Sequence, residues 1–212
     1  MLHYQTIPVT AFSQNCSIVW CDESSQAAII DPGGDLDLLL AAAEKTGAKL
    51  SQIWLTHAHI DHAGGTAELA QRLSLPIVGP HEGDKFWIDQ LPAQGAMFGF
   101  PASRAFTPTR WLHDGDTVEL GPHRFLVRHC PGHTPGHVVF YSQTLGRAFV
   151  GDVLFAGSIG RTDFPQGNYE QLISSITQRL WPLGDETIFI PGHGPESSFG
   201  QERKSNPFVG GT

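Results

Sequence analysis

Thr56-His57-Ala58-His59-Ile60-Asp61-His62-Ala63-Gly64-Gly65 places three imidazoles and one carboxylate within six residues, a His-x-His-x-Asp-His pattern. Ile53, Trp54 and Leu55 before it read as a buried strand, and residues 65–73 after it read as a helix. The ligand-type side chains therefore stand where a strand gives way to a loop. Loops seated on rigid strand ends are where chemistry concentrates. The first reading is a metalloenzyme.

Outward from this segment, strand-like and helix-like stretches alternate. Residues 14–20 and 26–30 read as a hairpin across the polar turn Asp22, Glu23, Ser24 and Ser25. Asp31-Pro32-Gly33-Gly34 ends the second strand, and residues 35–46 form a helix with Gly47 as its stop. Residues 76–78 give a short strand. Residues 89–112, with prolines and glycines around Met97, Phe98 and Phe100, read as an irregular loop or flap. Beyond it, residues 117–120, 124–129, 138–141, 147–150 and 187–190 are strand-like. Residues 168–181 are helical, with Leu172, Ile173, Ile176 and Leu180 on one face. One domain of 212 residues is expected, with two similar lobes over roughly 1–88 and 113–212. Each lobe shows a strand ending in Asp (Asp31, Asp152) and a later one ending in His (His57, His193).

The second half supplies more ligand-type residues at strand-to-loop junctions. They are His133 in Pro131-Gly132-His133-Thr134-Pro135-Gly136-His137, Asp152 in Gly151-Asp152, and His193 in Pro191-Gly192-His193-Gly194. With the first segment the set is His57, His59, Asp61, His62, His133, Asp152 and His193: five histidines and two aspartates. Neutral imidazoles and carboxylates suit zinc, iron or manganese, and the absence of thiolates argues against a closed structural zinc site. Seven ligands are too many for one ion. Two divalent ions sharing one carboxylate would use them and leave positions open. Zinc is the expected metal, with iron and manganese as alternatives. The expected nucleophile is a hydroxide made available at neutral pH by the metal.

The same residues, in this order, resemble the metallo-β-lactamase-fold superfamily over nearly the whole chain. The resemblance implies an α/β fold, an αββα four-layer sandwich with two mixed sheets inside and helices outside. It implies that His57, His59 and His133 hold one ion, that Asp61, His62 and His193 hold the other, and that Asp152 bridges them. His59 matters because the diiron redox branch typically has Glu there. Together with Gly151-Asp152-Val153-Leu154-Phe155, Gly160-Arg161-Thr162-Asp163 and Asn206-Pro207-Phe208, the chain is similar to short bacterial glyoxalase II-like hydrolases. That likeness implies hydrolysis of a thioester, S-D-lactoylglutathione, to D-lactate and glutathione. The alternative it leaves is a mononuclear-iron glutathione persulfide dioxygenase, using the positions of His57, His133 and Asp152, or another ester or lactone hydrolase of the superfamily. His137 leans towards the hydrolases.

Two departures from the larger glyoxalase II enzymes bear on substrate. Residues 194–212 leave no room for their helical, glutathione-gripping C-terminal domain. Arg161 fills a basic position after the bridging Asp, but Asp163 stands where a tyrosine is usual. Arg161 and His137 are the candidate substrate contacts, with an Arg161–Asp163 pair as the competing reading. Asp31 is expected to orient the metal loop by hydrogen bonding. His129 reads as structural, and His3, His81, His113 and His123 as surface residues.

The remaining numbers restrict partners. A formal charge of −8 argues against a nucleic-acid backbone as partner; a small-molecule thioester, such as a glutathione conjugate, is the partner the resemblance implies. Apolar runs fall far short of the ~20 residues of a membrane span. Met1-Leu2-His3-Tyr4-Gln5 lacks the basic start and apolar core of a secretory leader, and Cys16, Cys21 and Cys130 form no paired framework. Both point to the cytoplasm.

Overall fold

A computed structural model describes all residues except 101, 102 and 212. The first half runs β1 (Leu2–Val9), β2 (Gln14–Cys21), β3 (Gln26–Ile30), α1 (Leu36–Lys45), β4 (Lys49–Trp54), α2 (Ile60–Ala63), α3 (Thr66–Leu73), β5 (Ile77–Val78) and α4 (Lys85–Phe98). The second runs β6 (Thr117–Leu120), β7 (His123–His129), β8 (Val138–Ser142), β9 (Arg147–Gly151), β10 (Leu154–Phe155), β11 (Ser158–Ile159), α5 (Tyr169–Ser175), β12 (Ile188–Pro191), β13 (Ser197–Ser198) and α6 (Phe199–Ser205). One mixed sheet has the order β1-β2-β3-β4-β5, the other β13-β12-β9-β8-β7-β6.

Strand periodicity explains the layering. Successive side chains point to opposite faces, so strands apolar at every position are buried on both. In β3, Ala27 and Ile29 pack with α1 residues such as Leu39 and Ala43, while Ala28 and Ile30 face the second sheet. In β9, Phe149 faces the first sheet, and Ala148 and Val150 pack with Leu172 and Phe199 from α5 and α6. The layer between the sheets is anchored by Trp54, whose ring centroid lies 4.9 Å from that of Phe125 and 5.4 Å from that of Phe140. Helices cover both outer faces, giving the expected α/β sandwich.

Three local features depart from the expectations. Of the expected loop over residues 89–112, residues 89–98 belong to α4, which runs through Pro92. Trp87, Ile88, Leu91 and Gly95 form a buried stripe at helical spacing, and that burial outweighs the hydrogen bond lost at the proline. Positions 101 and 102 of the loop lie outside the described residues. The sequence does not mark the first strand, β1, because Leu2-His3-Tyr4-Gln5-Thr6-Ile7-Pro8-Val9 does not alternate cleanly. It is an edge strand, where Pro8 is tolerated. The helix expected over 168–181 is α-helical to Ser175, then loosens into a π turn over Ile176–Leu180 and a short 3-10 turn at Trp181–Leu183.

Candidate metal centre

The topology gathers the ligand-type residues at one edge. β3 and β4 are parallel neighbours in one sheet, β9 and β12 in the other. Their carboxyl ends release Asp31, the 57–62 segment, Asp152 and His193 at the same rim. The β7–β8 connection adds His133. The Asp-then-His repeat noted in the sequence corresponds to these two parallel pairs.

The side chains fall into two groups. Ligand atoms of His57, His59 and His133 lie within 4.8 Å of one another, as do those of Asp61, His62 and His193. His59 Nδ1 comes within 2.9 Å of His133 Nε2, and His193 Nε2 within 3.1 Å of Asp61 Oδ2. Asp152 stands between the groups: its Oδ1 is 3.3 Å from His62 Nε2, and its Oδ2 is 3.5 Å from His133 Nε2 and 3.7 Å from His193 Nε2. His57 Nε2, His62 Nε2 and Asp152 Oδ1 are buried without a hydrogen-bond partner. Such orphaned atoms cost about 1–3 kcal/mol each. Lone-pair atoms of this kind converging on one space fit divalent cations.

Hydrogen bonds behind the rings decide which nitrogen carries the proton. Asp31 can only accept, taking Thr56 N–H at 2.7 Å, Thr56 Oγ1–H at 2.6 Å and His62 Nδ1–H at 2.9 Å. The Thr56 hydroxyl has thereby spent its one hydrogen, so it accepts from His57 Nδ1 at 3.0 Å. His133 Nδ1 donates to Arg161 O at 2.8 Å, and His193 Nδ1 to Phe12 O at 3.2 Å. All four rings turn Nε2 to the centre, bare in neutral His57 and His133 and freed in His62 and His193 when a cation displaces their second proton, the arrangement a cation needs.

The two groups differ electrostatically. Burial, reinforced by the neighbouring imidazoles, holds His57 and His59 well below the usual histidine range, and burial also lowers His133. For His62 burial is outweighed by Asp152 and Asp61, which leave it well above that range. His193 is raised in the same way against burial, by its hydrogen bond to Asp61 and by Asp152. Burial opposes ionisation of Asp152, yet His62, His133 and His193 hold its carboxyl far below the ordinary value.

The structure reassigns some side chains and adds one. His137 has no free nitrogen for a substrate: Nδ1 donates to Val138 O at 3.1 Å, and Nε2 accepts Asp152 N–H at 3.0 Å. Buried and stacked on His57 at 4.5 Å, it orients Asp152 and His57 instead. Arg161 pairs bidentately with Asp163 (2.9 and 2.7 Å) and lies over the Phe164 ring. Phe164 and Trp87 flank His59 at 4.9 and 4.5 Å. Of Met97, Phe98 and Phe100, the last two pack on Phe12, while Met97 is exposed. Asp84 was missed. Fully buried, it accepts Ala58 N–H (2.9 Å), Thr134 Oγ1–H (2.9 Å) and Gly136 N–H (2.6 Å), tying the His57/His59 loop to the His133 loop. Burial pushes its carboxyl up to about 7 against those three bonds. A lone acidic residue before a helix carries no sequence signal for this role. His81, Glu82 and His113 also gather at the surface. There His81 Nδ1 accepts Gly83 N–H, so in the neutral ring Nε2 holds the proton and offers a cation no lone pair. A cavity of about 740 Å³ opens nearby among Thr10, Gly33, Gly64, Phe98 and Phe100, and no residue of the two groups lines it.

The metallo-beta-lactamase superfamily profile matches residues 9–193, so the chain belongs to that superfamily, and it is one of its metal-dependent hydrolases. It is 48% identical over 209 residues to the hydroxyacylglutathione hydrolase GloC of Haemophilus influenzae, covering 98% of each chain. It superposes on the BLEG-1 B3 metallo-beta-lactamase with a TM-score of 0.90 and 34% identity, covering 99% of this chain and 100% of that one. TTHA1623, crystallised in a di-iron-bound form, gives a TM-score of 0.87 and 36% identity over 96% of this chain and 99% of its own. Among the described residues no helix is long and apolar enough to cross a membrane.

Proposed function

We propose that this protein hydrolyses thioesters of glyoxalase II type, with S-D-lactoylglutathione as substrate, using two divalent ions. The observation that carries the reading is Asp152, with Oδ1 towards His62 and Oδ2 towards His133 and His193. His57, His59 and His133 would hold one ion, Asp61, His62 and His193 the other, with Asp152 shared. When bound, such ions lower the pKa of water towards about 7 and polarise a carbonyl. Asp31, Thr56, Arg161 O and Phe12 O fix the ring tautomers that make this possible. Trp87 and Phe164 provide an apolar wall at His59 that keeps water from that side. A thioester suits the site because a thiolate, of pKa about 8.5, departs without a proton donor. The 48% identity to a hydroxyacylglutathione hydrolase supports the substrate.

Zinc is the proposed metal, and the same donors accept iron. We also read residues 1–212 as one domain, because Val19 and Trp54 share a core cluster with Phe125 and Phe140. The unpaired, buried Cys16, Cys21 and Cys130 suit a cytoplasmic location. The test is metal content by mass spectrometry with S-D-lactoylglutathione turnover on the same sample, for wild type and Asp152→Ala. Two ions and turnover in the wild type, both lost in the folded variant, support the reading. One iron with oxygen uptake on glutathione persulfide assigns the dioxygenase reaction instead.

A further inference from the structure

We propose that Asn15 is the positioning residue for His193, and through it for the ion at Asp61, His62 and His193; the inference rests on the binuclear reading above. His193 lies on a turn between Gly192 and Gly194, the latter at φ 76°. Its side chain is 30% exposed against 16% for its neighbour Asp61. A ligand between two glycines has wide backbone freedom, so something outside the turn must fix it.

That support comes from the opposite sheet. Asn15 on β2 donates its main-chain N–H to Gly192 O at 2.7 Å. Its side-chain amide donates to Pro191 O at 3.0 Å and to Gly194 O at 2.9 Å. One residue thus grips carbonyls on both sides of His193 and uses both amide hydrogens. Gln14 beside it pairs with His193 in an isolated antiparallel bridge. With the turn held, His193 Nδ1 reaches Phe12 O and Nε2 reaches Asp61 Oδ2. A side chain with two hydrogens on one terminal atom at this reach is met by asparagine and not by aspartate, serine or alanine. The side-chain hydrogen bonds of Asn15 go to main-chain carbonyls and to none of the seven ligand-type side chains; it acts through the 191–194 backbone. The other group has a separate anchor in Asp84, whose three bonds hold the loops of His57, His59 and His133.

The experiment is zinc release from the full chain, titrated against a chromogenic chelator. The variants are Asn15→Asp, Asn15→Ala and His193→Ala, with Asn15→Asp also in the His193→Ala background. Circular dichroism and thermal melting of the zinc-free proteins check folding, and Asn15→Ala serves if the aspartate disrupts it. The expected result is that either Asn15 change weakens one zinc by about 10–100-fold and leaves the other at its wild-type constant. In the His193→Ala background, Asn15→Asp adds nothing further. Wild-type constants for both zincs in both Asn15 variants overturn the inference. So does equal weakening of both zincs, or an undiminished effect when His193 is already alanine. A wild-type protein that retains fewer than two zincs overturns the binuclear reading itself, a result the variants are not needed to recognise.

Discussion

Asp31→Asn is nearly isosteric, yet it reverses the hydrogen-bond logic behind both groups. In the wild type the carboxylate accepts from Thr56 N, Thr56 Oγ1 and His62 Nδ1. With the amide oxygen kept on Thr56 N–H, the amide nitrogen takes the place of Oδ2 and donates. His62 Nδ1 must then accept, so it gives up its hydrogen and the ring keeps only the one on Nε2. The Thr56 hydroxyl accepts too, freeing its hydrogen for His57 Nδ1, and His57 follows to the Nε2–H form. One atom exchange thus fixes a hydrogen on the metal-facing nitrogen of one ring in each group, new at His57 and retained at His62. Charge-assisted hydrogen bonds are worth about 1.5–3 kcal/mol and neutral ones about 0.5–1.5, so zinc-free stability should fall by about 1–3 kcal/mol, partly offset by no longer burying a charge. Zinc binding must also undo the inverted tautomer at one ring per ion, which weakens each zinc about 10–100-fold. Chelator competition measures both constants, and nitrogen-15 NMR of the histidine rings reads the cause directly. His57, which burial keeps neutral, should change from the Nδ1–H to the Nε2–H form. A variant in which His57 keeps Nδ1–H, or which holds both zincs with wild-type constants, refutes the tautomer chain.

Acid should strip the two ions in order. A histidine with a raised pKa takes up its proton at higher pH, so falling pH brings proton competition to His62 and His193 first and to the lowered His57, His59 and His133 last. Stepwise zinc release on titration from pH 8 to 5 is expected, and simultaneous release contradicts the assignment. Gly192→Ala would set a methyl against Asp152 Oδ1 and within 2.6 Å of His62 Cε1. Overpacking of this kind costs about 1–3 kcal/mol, and here it should appear mainly as zinc lost on dialysis, measured by mass spectrometry. Trp54→Ala removes the fully buried ring between the sheets and should cost about 3–5 kcal/mol of zinc-free stability in denaturant titration. A loss under about 1 kcal/mol would mean that the layer between the sheets does not depend on it.

The sequence by itself determined the kind of centre and the layers around it. Ligand chemistry resides in residue type and short spacing, as in His57, His59, Asp61 and His62, and strands apolar on both faces, such as Ala27–Ile30, announce a sheet covered on both sides. It could not announce β1, an edge strand without clean alternation, or α4, where burial of Trp87, Ile88 and Leu91 overrides Pro92. Only the tertiary structure decided what holds the centre in place. Asn15 meets Pro191 across 176 residues and Asp84 meets Gly136 across 52, and a lone Asn or Asp looks the same wherever it falls. His137 changed from a candidate substrate contact to a support for Asp152, because a ring's role is set by what its two nitrogens meet. Local chemistry is written in neighbouring residues; positioning is written in contacts that exist only once both sheets have packed.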